Sequence, residues 1–266
     1  MFAHNDTGVI KKYSNPRKSP IRSSEVYGKV DNSYPTYAVE NRKFNADGSR
    51  NDFPGSTIVC DLTRNETVMQ QIAHVQAIFR RLPFAARFAL LPPESVHMTV
   101  FELLCDHNRE QALWSRHLST QASLEDTDVF LARKWQEVDV PESFAMTVDS
   151  FDACRIWLRP ADPATAERLR QFRDRLAEVT GVKFPNHDRY RFHITFAYVV
   201  QPLTPEEERH IGELCGQLTI DAADPPIIVH TGPAIYTIFR DVSRYVPFTP
   251  EARALLEAGR PTFEEE

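Results

Sequence analysis

Two short segments combine a residue that can carry a proton near neutral pH with one that can donate to an anion. They are Val96-His97-Met98-Thr99-Val100 and Phe192-His193-Ile194-Thr195-Phe196. Side chains of a strand alternate between faces. His97 and Thr99 are therefore expected to share a face with Ser95 and Phe101, while Val96, Met98 and Val100 turn toward a core. In the second segment His193 and Thr195 share a face with Arg191 and Ala197, against Phe192, Ile194, Phe196 and Tyr198. Cleaving a phosphodiester requires one proton taken from the attacking oxygen and another given to the leaving oxygen. Two imidazoles can do both, one as base and one as acid. A threonine hydroxyl two residues on points the same way and can donate to the charged phosphoryl oxygens. Such a site needs no metal and no cofactor.

Nine histidines and 18 threonines in 266 residues predict roughly 0.6 His-x-Thr triplets by chance, so one triplet alone says little. Two, each inside an apolar alternation and 96 residues apart, say more. The near match His117-Leu118-Ser119 lacks that alternation and is set aside. Arg191 could hold phosphate from the same face as His193, and Phe101 could stack on a base beside His97 and Thr99. Tyr190 has the wrong parity for that face. Asn186-His187-Asp188 is a poor metal signature, and no metal site is expected.

The elements that must place these residues are mixed. Strands are expected over 56–62, 88–91, 95–101, 144–151, 153–158 and 191–200, with 227–230 and 234–239 as a closing pair. Helices are expected over 67–81, mainly through 108–138, over 163–180 ending at Gly181, from Thr204 onward, and over 249–258. Several strand pairs have hairpin-length connections, which favours α+β with antiparallel sheets over a doubly wound parallel sheet. Each half runs strand, helix, then the His-x-Thr strand, so a two-lobed pseudo-symmetric arrangement is expected. Residues 51–266 are expected to form one bilobal domain, dividing near 140. Residues 1–50 are a polar arm, and its cluster Lys11, Lys12, Arg17, Lys18 and Arg22 reads as a solvated tail.

Composition bounds the partners. Apolar residues make up 42% of the chain, enough for a sizeable core, and the formal net charge is −6. That balance excludes a broad basic face for long duplexes and favours a nucleotide or an RNA end. Cys60, Cys105, Cys154 and Cys215 are widely spaced without a C-x-x-C pair and read as small buried hydrophobes. No apolar leader or membrane-length stretch is present, so a cytoplasmic monomer with no membrane partner is expected.

The paired His-x-Thr strands in a two-part repeat resemble the 2H phosphoesterase superfamily, which includes LigT-like RNA ligases and cyclic phosphodiesterases. Phe53-Pro54-Gly55-Ser56-Thr57-Ile58-Val59-Cys60 and Pro92-Pro93-Glu94-Ser95-Val96-His97-Met98-Thr99-Val100-Phe101 resemble an uncharacterised, domain-of-unknown-function branch of it. The resemblance covers about residues 45–240. It implies two antiparallel sheet lobes around a central cleft with helices outside, His97 and His193 as the catalytic pair, and Thr99 and Thr195 as phosphate ligands. The expected activity is a metal-independent phosphodiesterase acting on a 2′,3′-cyclic phosphate or an RNA or oligonucleotide phosphodiester. His193 is taken as base and His97 as acid, an order the residues do not themselves determine. Two other readings stand beside it: a nucleotide or RNA-end binding module without turnover, and an RNA ligase using the same site.

Overall fold

The apolar backs of the two motif strands decide where they sit. In the computed structural model, Val96, Met98 and Val100 on one strand and Ile194 and Phe196 on the other are at most 2% exposed. Burying each such side chain is worth about 1.5–3 kcal/mol, so the polar faces are held outward by what lies behind them. The structure describes residues 43–258 together with Val39, all within one compact unit, Tyr34–Glu266.

The strands are β1 (Gly55–Asp61), β2 (Phe88–Leu90), β3 (His97–Cys105), β4 (Ala145–Phe151), β5 (Arg155–Pro160), β6 (Phe192–Thr195), β7 (Ala197–Val199), β8 (Ile228–His230), β9 (Ala234–Phe239) and β10 (Val246–Pro247). Within residues 43–258 the helices are α1 (Glu66–Arg80), α2 (Leu124–Trp135), α3 (Pro163–Thr180), α4 (Pro205–Asp221) and α5 (Pro250–Glu257). Eight strands form an antiparallel sheet in the order β10-β9-β1-β3-β6-β5-β4-β8, and β2 pairs with β7 alongside. The expected α+β antiparallel class is therefore present. The motif strands β3 and β6 are neighbours in the middle of the sheet. One registered pair, Met98 with Ile194, joins β10-β9-β1-β3 to β6-β5-β4-β8, and β9 and β10 of the second half lie on the side of the first.

Local signals set the helix ends. Asp162 accepts from the Thr165 amide at 2.7 Å to open α3, and Gly181 closes it with φ 72°, a conformation glycine adopts cheaply. Thr204 and Glu207 form a reciprocal capping box at α4. The apolar stripe of α1 packs on the sheet, with the Phe79 ring edge-on to Phe196 at 5.1 Å.

Three expectations fail. Residues 108–123 are not helical apart from a single turn at Gln111–Leu113, and the helix begins only at Leu124. Side chains satisfy that loop's carbonyls instead: Arg109 donates to Thr120 and Ala122, and Trp114 to Ser119. The 191–200 strand is broken at Phe196, whose amide turns to the Cys154 carbonyl, and β7 leaves the main sheet for β2. The closing pair does not pair with itself. β8 joins β4 and β9 joins β1, toward opposite edges of the sheet.

Most of the expected N-terminal arm, including its basic cluster, lies outside the described residues. Residues 43–50 are described. Phe44 is 3% exposed, bridges to Arg50 and packs with Ala89, Leu91, Val200 and Val242.

Candidate active site

An antiparallel register carries every residue to a fixed partner. With Met98 facing Ile194, one step either way sets His97 opposite Thr195 and Thr99 opposite His193. Directly opposed side chains lie roughly 5 Å apart at Cβ and diagonal ones roughly 7–8 Å apart. The four motif residues thus form a square, with histidines on one diagonal and threonines on the other. A phosphorus at its centre would have an imidazole on two sides.

Both rings are oriented by the same bond. His97 Nδ1 lies 2.6 Å from the Ser95 carbonyl oxygen, and His193 Nδ1 lies 3.0 Å from the Arg191 carbonyl oxygen. A carbonyl only accepts, so each Nδ1 carries the hydrogen and donates it. Each Nε2 is left as the nitrogen that can take up or give back a proton. Both rings are half-buried, and loss of hydration dominates their titration. Burial pushes the His97 pKa down to about 4, opposed by its Ser95 bond and the Asp61 carboxylate. Burial pushes His193 down to about 3, with the Arg155 guanidinium acting in the same direction.

The neighbours follow from the flanking registers. Asp61 of β1 is paired with His97 and Val59 with Thr99. Arg155 of β5 is paired with Thr195 and Trp157 with His193. The Tyr245 ring rests on His97 with centroids 4.0 Å apart, and Trp157 meets His193 edge-on at 5.2 Å. Asp61, Arg155, Trp157 and Tyr245 were not singled out from the sequence. Strand parity along Arg155-Ile156-Trp157 could have found two of them, since its charged and aromatic residues alternate with a buried Ile.

Phe101 is not on this face. Between the pairs Val59–Thr99 and Ile58–Phe101, β3 contains one extra residue, Val100, which makes a β-bulge. A bulge shifts the alternation by one. Phe101 therefore enters the core at 2% exposure, against Arg173 and His187. Glu102, paired with Thr57, takes the outward face in its place. Arg173, itself buried, donates to the Val100 carbonyl and so secures the bulge. Glu102 lines a polar cavity of about 550 Å³ with Thr99, Lys43, Asn108 and Tyr245. Burial raises its carboxyl pKa, while Arg173 and Lys43 oppose that rise.

Arg191 stands at the rim. It is exposed, its guanidinium lies 4.1 Å from the Trp157 ring centroid, and it approaches Asp149 at 3.6 Å. Tyr190 sits 6.3 Å from His193 by ring centroids. His187 is 6% exposed and is bonded to Asp174 at 2.9 Å. Asp174, His187 and Asp188 come close enough to hold an ion, but Arg170 pairs with Asp174 at 2.7 Å and Lys183 with Asp188 at 3.8 Å. Those cations already answer part of the acidic charge. All four cysteines are free thiols, with Cys60 and Cys215 buried. Among the described residues no helix is long and apolar enough to cross a membrane.

Residues 43–156 match the family model 2H-phosphodiest, described as "Domain of unknown function (DUF1868)". The matched stretch contains the first motif and stops before the second. A crystal structure of a conserved protein of unknown function from Agrobacterium tumefaciens aligns with a TM-score of 0.69 at 24% identity, covering 78% of this chain and 89% of that one. It shows the fold. Two further solved structures align less closely. One is titled a phosphoesterase (TM-score 0.42, 14% identity, 74% of this chain and 95% of that one), the other E. coli LigT in apo form (0.40, 14%, 75% and 96%). No curated protein matches. The family model bears out the resemblance to the 2H phosphoesterase superfamily, in a branch of unknown function, and supports a phosphoesterase-type function in general.

Proposed function

We propose that this chain is a phosphodiesterase that opens a 2′,3′-cyclic phosphate, or cleaves an RNA or oligonucleotide phosphodiester, without a metal ion. The observation that carries the reading is the square of His97, Thr195, His193 and Thr99, with both Nε2 atoms left for proton transfer. For ring opening, His193 Nε2 takes a proton from water as the new O–P bond forms. His97 Nε2–H gives a proton to the ribose oxygen as its bond to phosphorus breaks. Thr99 and Thr195 donate to the non-bridging oxygens, which gain charge in the transition state.

The surroundings support this order of roles. Asp61 favours the protonated form of His97, as an acid requires, and Arg155 disfavours protonation of His193, as a base requires. In the empty site both rings are neutral at pH 7. The negative phosphoryl group supplies what the acid needs, because a nearby anion raises an imidazole's pKa. The substrate thus completes the charge state that cleaves it.

The test is a screen of 2′,3′-cyclic mononucleotides, cyclic oligonucleotides, 2′–5′ oligonucleotides and short RNAs, with wild type beside His97→Ala. Turnover that survives EDTA and is lost in the variant is the expected outcome. Abolition by EDTA with rescue by a divalent ion would sink the metal-free scheme. Tight nucleotide binding without turnover across the panel would favour a binding module, and joining of a cyclic phosphate end to a 5′-hydroxyl end would favour a ligase.

A further inference from the structure

We propose that Lys43 is a phosphate-binding residue of this site, delivered by the segment before β1 and held there by Phe44. The inference rests on the phosphoesterase reading and adds a cationic group outside both His-x-Thr motifs.

The placement is geometric. Lys43 and Thr99 line the same cavity, with Glu102 and Tyr245, and Tyr245 is the ring that rests on His97. The Lys43 ammonium lies 5.2 Å from the Phe53 ring centroid and 5.4 Å from that of Tyr198. Two aromatic faces attract a cation, and the Glu102 carboxyl lines the same cavity. The backbone behind it is fixed. The Asn51 amide donates to the Lys43 carbonyl at 3.0 Å, and Gln201 donates to the Ala46 carbonyl at 3.0 Å. Phe44, next in sequence, is buried against the β2–β7 pair, its ring 5.2 Å from Tyr198.

The charge of Lys43 bears on both histidines and lowers the pKa of each. Lys43 shares its cavity with Thr99, which the register sets opposite His193, so a phosphoryl group held by Thr99 would open onto the cavity that Lys43 lines. A lysine there acts as a point charge, favouring the anion in the ground state and more strongly in the transition state, where charge accumulates. Among the described residues, Asp61 from β1, Arg155 from β5, Tyr190 before β6 and Tyr245 before β10 also face the rings, and Glu102 from β3 faces Lys43 across the cavity.

The experiment uses the full chain and the variants Lys43→Met, Lys43→Arg and Phe44→Ala. It reads three quantities: binding of inorganic phosphate followed by the histidine ring NMR signals, the pH titration of both rings in the empty site, and kcat and KM on a turned-over cyclic nucleotide. Lys43→Met is expected to weaken phosphate binding about tenfold, the scale of a lost charge-assisted bond, and to lower kcat/KM about 10²-fold. Both ring pKa values should rise, since a positive neighbour has gone. Lys43→Arg should keep most of the affinity. Phe44→Ala should lose phosphate affinity with Lys43 still present; if it does not fold, Lys43→Met decides alone. Unchanged phosphate binding and unchanged ring titration in Lys43→Met would overturn the assignment and leave the phosphoesterase reading standing. A wild type that neither binds phosphate at these rings nor turns over any member of the panel would overturn both.

Discussion

His97 and His193 lie on adjacent antiparallel strands, each with Nδ1 bonded to the carbonyl two residues upstream, yet their neighbourhoods are opposite in charge. His97 faces a carboxylate, Asp61, and lies under Tyr245. His193 is flanked by Trp157 and influenced by the guanidinium of Arg155. The strands differ too. β3 runs nine residues through a bulge, whereas β6 runs four and breaks at Phe196. A repeated triplet therefore sets a shared tautomer, and in the proposed scheme the non-repeated surroundings split the pair into an acid and a base. Enzymes commonly divide roles this way, by environment and not by residue type.

The most direct way to break the comparison is to remove one ring at a time. His97→Ala and His193→Ala should each lower kcat by about 10³-fold or more, within the range for a lost general acid or base. Wild-type turnover in either, measured at saturating substrate, would end the two-proton scheme. Next in size are the hydroxyls. Thr99→Val and Thr195→Val should each cost about 10²-fold in kcat, with serine at either position restoring most of it. A large loss at one threonine only would mean that the phosphate is held by one half.

The charge asymmetry makes a finer test. In the free protein the base must be neutral and the acid protonated, so kcat/KM has an acidic limb set by His193 and a basic limb set by His97. Both lie well below neutrality, since the rings titrate at about 3 and about 4. Bound phosphate raises both values, so the kcat profile should be displaced to higher pH than the kcat/KM profile. Arg155→Met removes a positive neighbour, raises the His193 pKa and moves the acidic limb up. Asp61→Asn removes a negative one, lowers the His97 pKa and moves the basic limb down. Each shift should be on the order of one pH unit or less. Identical shifts of both limbs in either variant would contradict separate roles. The smallest effect belongs to Phe101→Leu, a core substitution of similar shape that should cost about 1 kcal/mol in denaturant titration and leave KM unchanged.

Strand alternation made the motif faces and the apolar backs legible, and capping residues such as Asp162, Gly181 and Thr204 marked helix ends, because each depends on a few neighbouring residues. Hairpin-length connections pointed to the antiparallel α+β class. Alternation misplaced Phe101 because a bulge is set by the pairing of β3 with β1, which no local pattern in β3 announces. It misjudged 108–123 because that loop's carbonyls are satisfied by side chains from within the loop and not by a helical ladder. The pairing of β8 with β9 failed for a related reason: proximity in sequence suggested a hairpin, but each strand found its partner elsewhere in the sheet.

By itself, then, the sequence determined which residues could carry protons and which faces they occupy, since chemistry and parity are properties of short segments. Only the tertiary structure decided that β3 and β6 are neighbours and that Asp61, Arg155 and Lys43 bring their charges to the two rings. Those groups come from parts of the chain far apart in sequence. Electrostatic influence depends on distance through the folded protein, which a sequence pattern does not carry.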